Sequence, residues 1–412
     1  MKYIFLLGDL NSSATTFCGI KVCKELALRG HTVYAISVGQ HNRKDISREN
    51  NYIIYEIQPR FFYRMIFFLD KSKVSRWCAN ILRSINKVIV QVYSFVSIKP
   101  WLGREKLYIK KVTDVIDEYG KPDFIVALVQ PVESLAAAKS LSNKFDIPYV
   151  AYMLDAIYGN NGVRLVPDKL YKKRALNYEN KYLCDARRIF MVESVKDIYN
   201  NLDPTKYLYI KKIQYVGIPL LIPVKYEHNN VRELFKNDEI SILFMGTMPR
   251  RIRNPHFALS LMDNIATGNI HFYIIGRSDY MNEINGCVSR NKNIHFLGYV
   301  SHDKISQYLQ EADVLLNIGN SFANMIPSKV FEYMSYNKPI ISTTKILNDP
   351  CERYLKQYGN ALVINETSSL LESQDKVVRF IQEAHKIDGR TKEITKELMK
   401  YTPAYFCDKM EA

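Results

Sequence analysis

The sequence predicts an α/β protein built from two doubly wound, Rossmann-like domains, and three observations predict it. The chain has 412 residues, more than one compact core usually serves. Short apolar runs bounded by turn residues alternate with stretches of helical periodicity along both halves. A polar run at 227–239 separates the two series, so each half reads as a parallel sheet with helices between its strands.

In the first half, residues 3–7 read as a buried strand and 8–16 as a loop of small residues. Residues 17–28 carry apolar side chains at helical spacing, and Gly30 suits the left-handed stop after them. Residues 32–38 are the next strand, with further strands expected at 52–57, 124–128, 149–153 and 188–192. Residues 60–111 differ: they mix aromatics with Lys and Arg and read as helices, part of which form a basic amphipathic surface. The plainer alternative is domain packing with solvated lysines. Residues 215–223 read as the end of a last strand followed by a Pro-punctuated connection. In the second half, strands are expected at 240–245, 271–275, 294–296, 314–318, 339–342 and 361–364, and a charged helical tail at 375–400.

Hydrophobic residues make up 47% of the chain and charged residues 24%, which argues against long disorder. Lys and Arg number 57 against 42 Asp and Glu, a net charge of +15. That excess points to a polyanionic partner, whether nucleic acid, an anionic membrane or a phosphorylated small molecule, or else to a solvated basic surface. The seven cysteines are scattered and form no C-x-x-C pair, so neither a zinc site nor a disulfide framework is indicated, and a reducing compartment fits. The opening apolar run is too short for a signal peptide and suits a first strand. No stretch approaches the roughly 20 apolar residues of a membrane span.

The most informative stretch is 317–343. An apolar strand ends at Gly319-Asn320-Ser321, and Ile326-Pro327-Ser328-Lys329-Val330-Phe331-Glu332-Tyr333-Met334 opens a helix with Pro327 in its first turn. A helix start presents free N–H groups and a positive dipole end to a diphosphate. Glu332, one turn on, could accept hydrogen bonds from two ribose hydroxyls.

This stretch resembles the donor-binding signature of GT-B glycosyltransferases, especially glycosyltransferase family 4. The resemblance covers roughly residues 240–363. Leu243-Phe244-Met245-Gly246-Thr247 is similar to the family's first strand and turn in its nucleotide domain, and Tyr273-Ile274-Ile275-Gly276 to its apolar strand with a terminal glycine. Residues 293–299 and 305–312 resemble the strand, glycine and helix before the signature. Order and spacing together make the match specific.

The resemblance implies a GT-B architecture, two Rossmann-like domains facing each other across a cleft. It divides the chain into an acceptor-binding domain, 1–222, completed by a C-terminal helix at about 395–412, and a nucleotide-sugar domain, 223–394. Glu332 matches the family's ribose glutamate. The other glutamate of its Glu-x(7)-Glu motif falls at Asn324, so Asn324 or the backbone of Met325 and Ile326 would replace that contact to the donor sugar. The family's diphosphate-facing Arg falls at Thr247 and its Lys at Arg253, whose planar fork suits phosphate. Arg250 and Arg251 are candidates for the second cation. The expected donor-side residues are thus Gly246, Thr247, Arg251, Arg253, Gly276, Asn324, Ile326, Ser328, Lys329 and Glu332. On the acceptor side, the loop with Ser12, Ser13 and Thr15 resembles the family's first loop. Asp155 occupies a place where members often carry a polar residue, from which it could orient a hydroxyl or act as a base. Asp155 and Arg253 are the expected catalytic residues.

The reaction so implied is transfer of a sugar from a nucleotide diphosphate to a hydroxyl, with retention of configuration and no required metal. No Asp-x-Asp occurs in the chain, in agreement. A UDP-sugar is the expected donor and a GDP-sugar the alternative, with no tightly bound cofactor. The expected acceptor is a glycan or polyprenyl-diphosphate-linked oligosaccharide in surface polysaccharide (capsule or lipopolysaccharide) biosynthesis. The expected location is the cytoplasm, peripherally on the inner face of the cell membrane at an anionic surface. Each candidate has a plainer role: Glu332 as a surface helix residue, Ser328-Lys329 as a helix start, the arginines as a solvated turn, Asp155 as a cap. Two other classes stay open. A nucleotide-sugar epimerase shares this architecture, and a basic nucleic-acid-binding protein would account for the charge. For the latter no zinc finger, RNP-like strand or arginine-rich tail is found, so no nucleic acid is expected as partner.

Overall fold

The computed structural model describes residues 1–9, 14–39, 44–47, 51–57, 65–66, 68–69, 73–99, 103–154, 156–159, 166–224, 232–250, 252–321, 329–347, 349–386 and 396–412. They fall into two units, Met1–Pro219 with Lys400–Ala412, and Leu220–Met399.

The first unit holds strands β1 (Lys2–Asp9), β2 (Thr32–Val38), β3 (Lys44–Ser47), β4 (Tyr52–Ile57), β5 (Phe124–Leu128), β6 (Tyr149–Met153), β7 (Arg188–Val192) and β8 (Ile213–Val216). Their order in the sheet is β3-β4-β2-β1-β5-β6-β7-β8. Only β3 runs antiparallel, to β4. In the middle, Tyr3 of β1 lies opposite Val33 of β2 and Phe124 of β5. Residues 3–7 and 125–128 are fully buried, because helices cover both faces of a parallel sheet. This explains why these strands read as continuous apolar runs rather than alternating ones.

The second unit holds β9 (Ile240–Met245), β10 (Ile270–Ile275), β11 (Ile294–Gly298), β12 (Val314–Ile318), β13 (Ile340–Thr344) and β14 (Ala361–Asn365). All are parallel, in the order β11-β10-β9-β12-β13-β14. The chain order reverses between β9 and β12 here, and between β1 and β5 in the first unit. In such sheets ligands sit outside the carboxyl ends of the strands at that reversal. Each unit therefore offers one such edge.

Some elements differ from expectation. The first helix starts at Ala14, three residues earlier than its apolar pattern, and is stopped as expected at Gly30, whose φ is +85°. Strand β3 was not legible, since Lys-Asp-Ile-Ser is a short, largely polar run at the sheet edge, paired antiparallel with β4. The last strand of the first unit, Ile213–Val216, closes within 215–223, where the end of a strand and a connection were expected. It ends where Gly217 packs on the returning chain: a Cβ there would lie 2.5 Å from the Tyr401 ring and 2.6 Å from the Lys400 carbonyl. The charged tail is a helix Leu370–Lys386 and a short helix Lys396–Met399.

The returning helix Pro403–Glu411 packs on the helix Ala14–Leu28. Its Phe406 ring lies 4.3 Å from that of Tyr152 and 5.1 Å from that of Phe190, and Cys407 is buried beside Val22. Arg29 binds this helix from the far end of the sequence. Its guanidinium donates to Asp408 at 2.7 Å, Glu411 at 2.7 Å, Glu25 at 3.0 Å and the Ala404 carbonyl at 2.8 Å. His31 lies 2.5 Å from Glu411. Burial raises the Glu411 carboxyl, but the hydrogen bonds from His31 and Arg29 outweigh it and hold its pKa below the usual glutamate value.

Arg29→Ala should cost about 1–2 kcal/mol and lower the thermal midpoint of unfolding by about 2–6 °C. A depressed carboxyl stabilises the fold above its unfolded pKa, about 4.3 for glutamate, and loses that contribution as pH falls through the folded value. The variant should therefore lose less stability than the parent on acidification below that point, as urea titrations at stepped pH would show.

Candidate functional site

Gly246 directly follows β9 and Gly276 directly follows β10. The Gly246 N–H donates to the Ile275 carbonyl at 2.8 Å, and the Gly276 N–H to the Gly298 carbonyl at 2.8 Å. Gly276 has φ +133°, and a Cβ on it would sit 1.8 Å from the Gly246 carbonyl oxygen. No other residue fits: the backbone angle disfavours L side chains and the space is filled by backbone. A Cβ on Gly246 would lie 3.2 Å from Arg253 Nη1 and 3.4 Å from Lys329 Cε, so both cationic side chains flank the bare backbone after β9.

Arg253 is 8% exposed. Its Nη1 donates to the Thr247 carbonyl at 3.0 Å and its Nη2 to Asn320 Oδ1 at 3.0 Å. Its Nε is buried without a hydrogen-bond partner among the described residues. No carboxylate pairs with it among them, and burial lowers its pKa from the usual arginine value. Asn320 stands just beyond β12, where the Ser321 N–H also donates to the Ile252 carbonyl at 2.7 Å. The loops after β9 and β12, the two strands of the reversal, are thus joined side by side.

Lys329 is the first described residue of the helix Lys329–Ser335 and is half-buried. Burial lowers its pKa; Glu332 opposes that shift and the Arg253 guanidinium adds to it. One turn along, on the same face, the buried Tyr333 hydroxyl donates to the Met245 carbonyl at 3.2 Å and accepts from the Met245 N–H at 3.0 Å. Burial pushes its pKa well up, so the proton that makes the first bond is retained. Tyr333 thereby fixes the helix, and Lys329 with it, against the end of β9.

The structure thus brings together Gly246, Gly276, Arg253, Lys329 and the Thr247 backbone, with Glu332 three residues along the helix from Lys329. The Thr247 side chain is exposed. Arg250 does not join them: its N–H donates to Asp279 at 2.9 Å and its guanidinium lies 5.8 Å from the Tyr280 ring. Arg251, Asn324, Ile326 and Ser328 lie outside the described residues, as do Ser12, Ser13 and Asp155. Thr15 lies half-buried in the first turn of the helix Ala14–Leu28.

Sequence reasoning missed Asn320 and Tyr333. The spacing of four between Lys329 and Tyr333 was the available signal for the second. It also missed the polar edge of the first sheet's reversal. Gly8 there is crowded by Thr16 Oγ1 at 2.8 Å and the Gln130 carbonyl at 2.9 Å from a would-be Cβ. Gln130 has φ +118°, a strained angle for a side-chain-bearing residue. Glu133, fully buried, lies 3.9 Å from Arg104.

Residues 239–383 match the family described as "Glycosyl transferases group 1". No curated protein matches the chain significantly. Among solved structures, Anabaena Alr3699/HepE in complex with UDP and glucose aligns with a TM-score of 0.61 at 12% identity, covering 100% of this chain and 98% of that one. Sucrose-phosphate synthase from Thermosynechococcus elongatus aligns with a TM-score of 0.60 at 12% identity, covering 100% and 98%. WaaG, a glycosyltransferase involved in lipopolysaccharide biosynthesis, aligns with a TM-score of 0.53 at 12% identity, covering 99% and 95%. The chain has the GT-B glycosyltransferase fold. Its second unit carries the group 1 glycosyltransferase match.

A diphosphate beside Arg253 and Lys329 would favour the charged lysine, whose pKa is depressed in the free protein. Binding of pyrophosphate should therefore weaken as pH rises through that lowered value, below the ordinary lysine pKa of about 10.4. Lys329→Gln should weaken binding about tenfold at pH 7 and remove the alkaline decline, both read by calorimetry. Gly276→Ala should cost about 3 kcal/mol or more and lower the unfolding midpoint, because backbone must move.

Proposed function

We propose that the protein transfers a sugar, with retention of anomeric configuration, from a nucleotide diphosphate to a hydroxyl of a glycan or lipid-linked oligosaccharide in surface polysaccharide assembly. What carries this is the cation pair at the end of β9: Arg253, buried without a carboxylate partner among the described residues, and Lys329 beside it, within the segment that matches group 1 glycosyltransferases. A buried guanidinium is costly unless an anion completes it. A departing nucleoside diphosphate is such an anion, and fixed cations lower the barrier to its departure.

In this proposal the glycines at 246 and 276 leave room for the diphosphate to approach the backbone. Arg253 and Lys329 hold its charge and Glu332 takes the ribose hydroxyls. Arg251, Asn324, Ile326 and Ser328 complete the donor side. The donor is a UDP-sugar ahead of a GDP-sugar; support is the UDP held by the HepE structure of the same fold. Residues 1–222, with about 395–412, take the acceptor through Ser12, Ser13, Thr15 and Asp155, and 223–394 take the donor. The likeness to WaaG supports a lipid-linked saccharide as acceptor. No metal is assigned a role; departure of the diphosphate is assisted by the two cations instead.

A thermal-shift panel of nucleotides and nucleotide sugars tests the central claim. UDP or a UDP-sugar should raise the midpoint by several degrees; a ligand at 100 times its Kd stabilises by about 2.7 kcal/mol. Glu332→Ala should reduce that shift for UDP and leave the pyrophosphate response intact. Indifference to every nucleoside diphosphate would sink the proposal. Consumption of donor only when an acceptor is present separates the transferase from an epimerase, which isomerises the sugar alone.

A further inference from the structure

The helix Lys73–Ser94 of the first unit carries an apolar stripe that nothing in the described structure covers. Trp77 is 70% exposed, Val88 61%, Val92 60%, Ile89 52%, Ile85 43% and Ile81 39%. At about 100° per residue these six side chains fall within one arc of roughly 120°. Ala79, the one fully buried residue among the helix's described side chains, lies on a second arc with Leu82, Asn86 and Tyr93, which faces the protein. Arg83 and Lys87 stand on the third, with Asn80 and Gln91. Isolated exposed apolar residues are ordinary, but six in register on one face mark an interaction surface.

The charge of the helix selects the partner. Its sequence holds Lys73, Arg76, Arg83 and Lys87 and no Asp or Glu. Between residues 60 and 104 there are nine Lys and Arg and a single acid, Asp70. An apolar arc bordered by cations and carrying a tryptophan has the layout of a helix that lies in the plane of an anionic bilayer, its apolar face among the acyl chains. No described helix is long and apolar enough to cross a membrane, so this one would rest on the surface.

We propose that Lys73–Ser94 seats the protein on an anionic lipid surface, inserting Trp77, Ile81, Ile85, Val88, Ile89 and Val92. This deepens the proposed use of a lipid-linked acceptor by naming the element that meets the membrane, but it does not depend on the donor chemistry.

Full-length protein is floated with vesicles of phosphatidylcholine alone or with 30% phosphatidylglycerol. Binding is expected to the anionic vesicles and to fall about tenfold or more in Val88→Glu/Val92→Glu, whose side chains are solvent-exposed in the fold. Trp101→Phe leaves Trp77 as the sole tryptophan. Its emission should shift blue and be quenched by brominated acyl chains. The proposal fails if wild-type protein ignores anionic vesicles, if Trp77 is not quenched, or if the stripe instead holds two copies together as a dimer that Val88→Glu/Val92→Glu breaks. A parallel thermal shift with UDP keeps the two proposals apart. Vesicle binding without a UDP response overturns the donor site alone, and the reverse overturns the membrane helix alone.

Discussion

The second unit is organised around a guanidinium that no carboxylate neutralises among the described residues. Arg253 is enclosed by the ends of β9 and β12, bound through one nitrogen to a backbone carbonyl and through another to Asn320, with no carboxylate paired to it among the described residues. Charge in such a place is stabilised by dipoles that are already ordered, so the loops around it must be held still. Tyr333 clamps the neighbouring helix to Met245, Gly276 lets two strand ends meet backbone to backbone, and the Ser321 to Ile252 bond joins the loops. The same features that keep the cation in place would keep the region ready for the proposed diphosphate.

The fold was largely legible because fully buried parallel strands have a simple signature. Strands 32–38, 124–128, 149–153, 188–192, 240–245 and 314–318 stand where their apolar runs end. Strand β3 was not legible, since nothing in Lys-Asp-Ile-Ser carries a period. In the second unit it was the resemblance to glycosyltransferase family 4 that singled out Gly246, Gly276 and Arg253. Asn320 and Tyr333 were not, because each matters through a contact between segments distant in sequence. Asn320 looks like a turn residue and Tyr333 like a core aromatic until the fold brings Arg253 and Met245 to them.

The first unit shows a similar gap between pattern and contact. Basic and aromatic residues at 60–111 announced an amphipathic surface, but composition could not say which face would be left uncovered. In the structure the apolar arc of Lys73–Ser94 is left exposed, together with Asn80, Ser84 and Lys87 of the polar one. Its own sheet reversal gathers Gly8, Thr16, Gln130 and Glu133, a polar edge built from residues of three separate segments.

The way the chain re-enters the first unit bears on its synthesis. Leu220–Met399 is continuous, so that unit can complete its sheet as soon as its last strand has left the ribosome. The first unit has its whole sheet by Val216, but not the helix that covers it. Tyr152, Phe190 and the back of the helix Ala14–Leu28 wait for Phe406 and Cys407, some two hundred residues after β7 has been made. At translation rates of about 5–20 residues per second, that leaves an apolar surface open for on the order of ten seconds or more. During that interval a nascent chain offers chaperones a binding site that the finished protein no longer has.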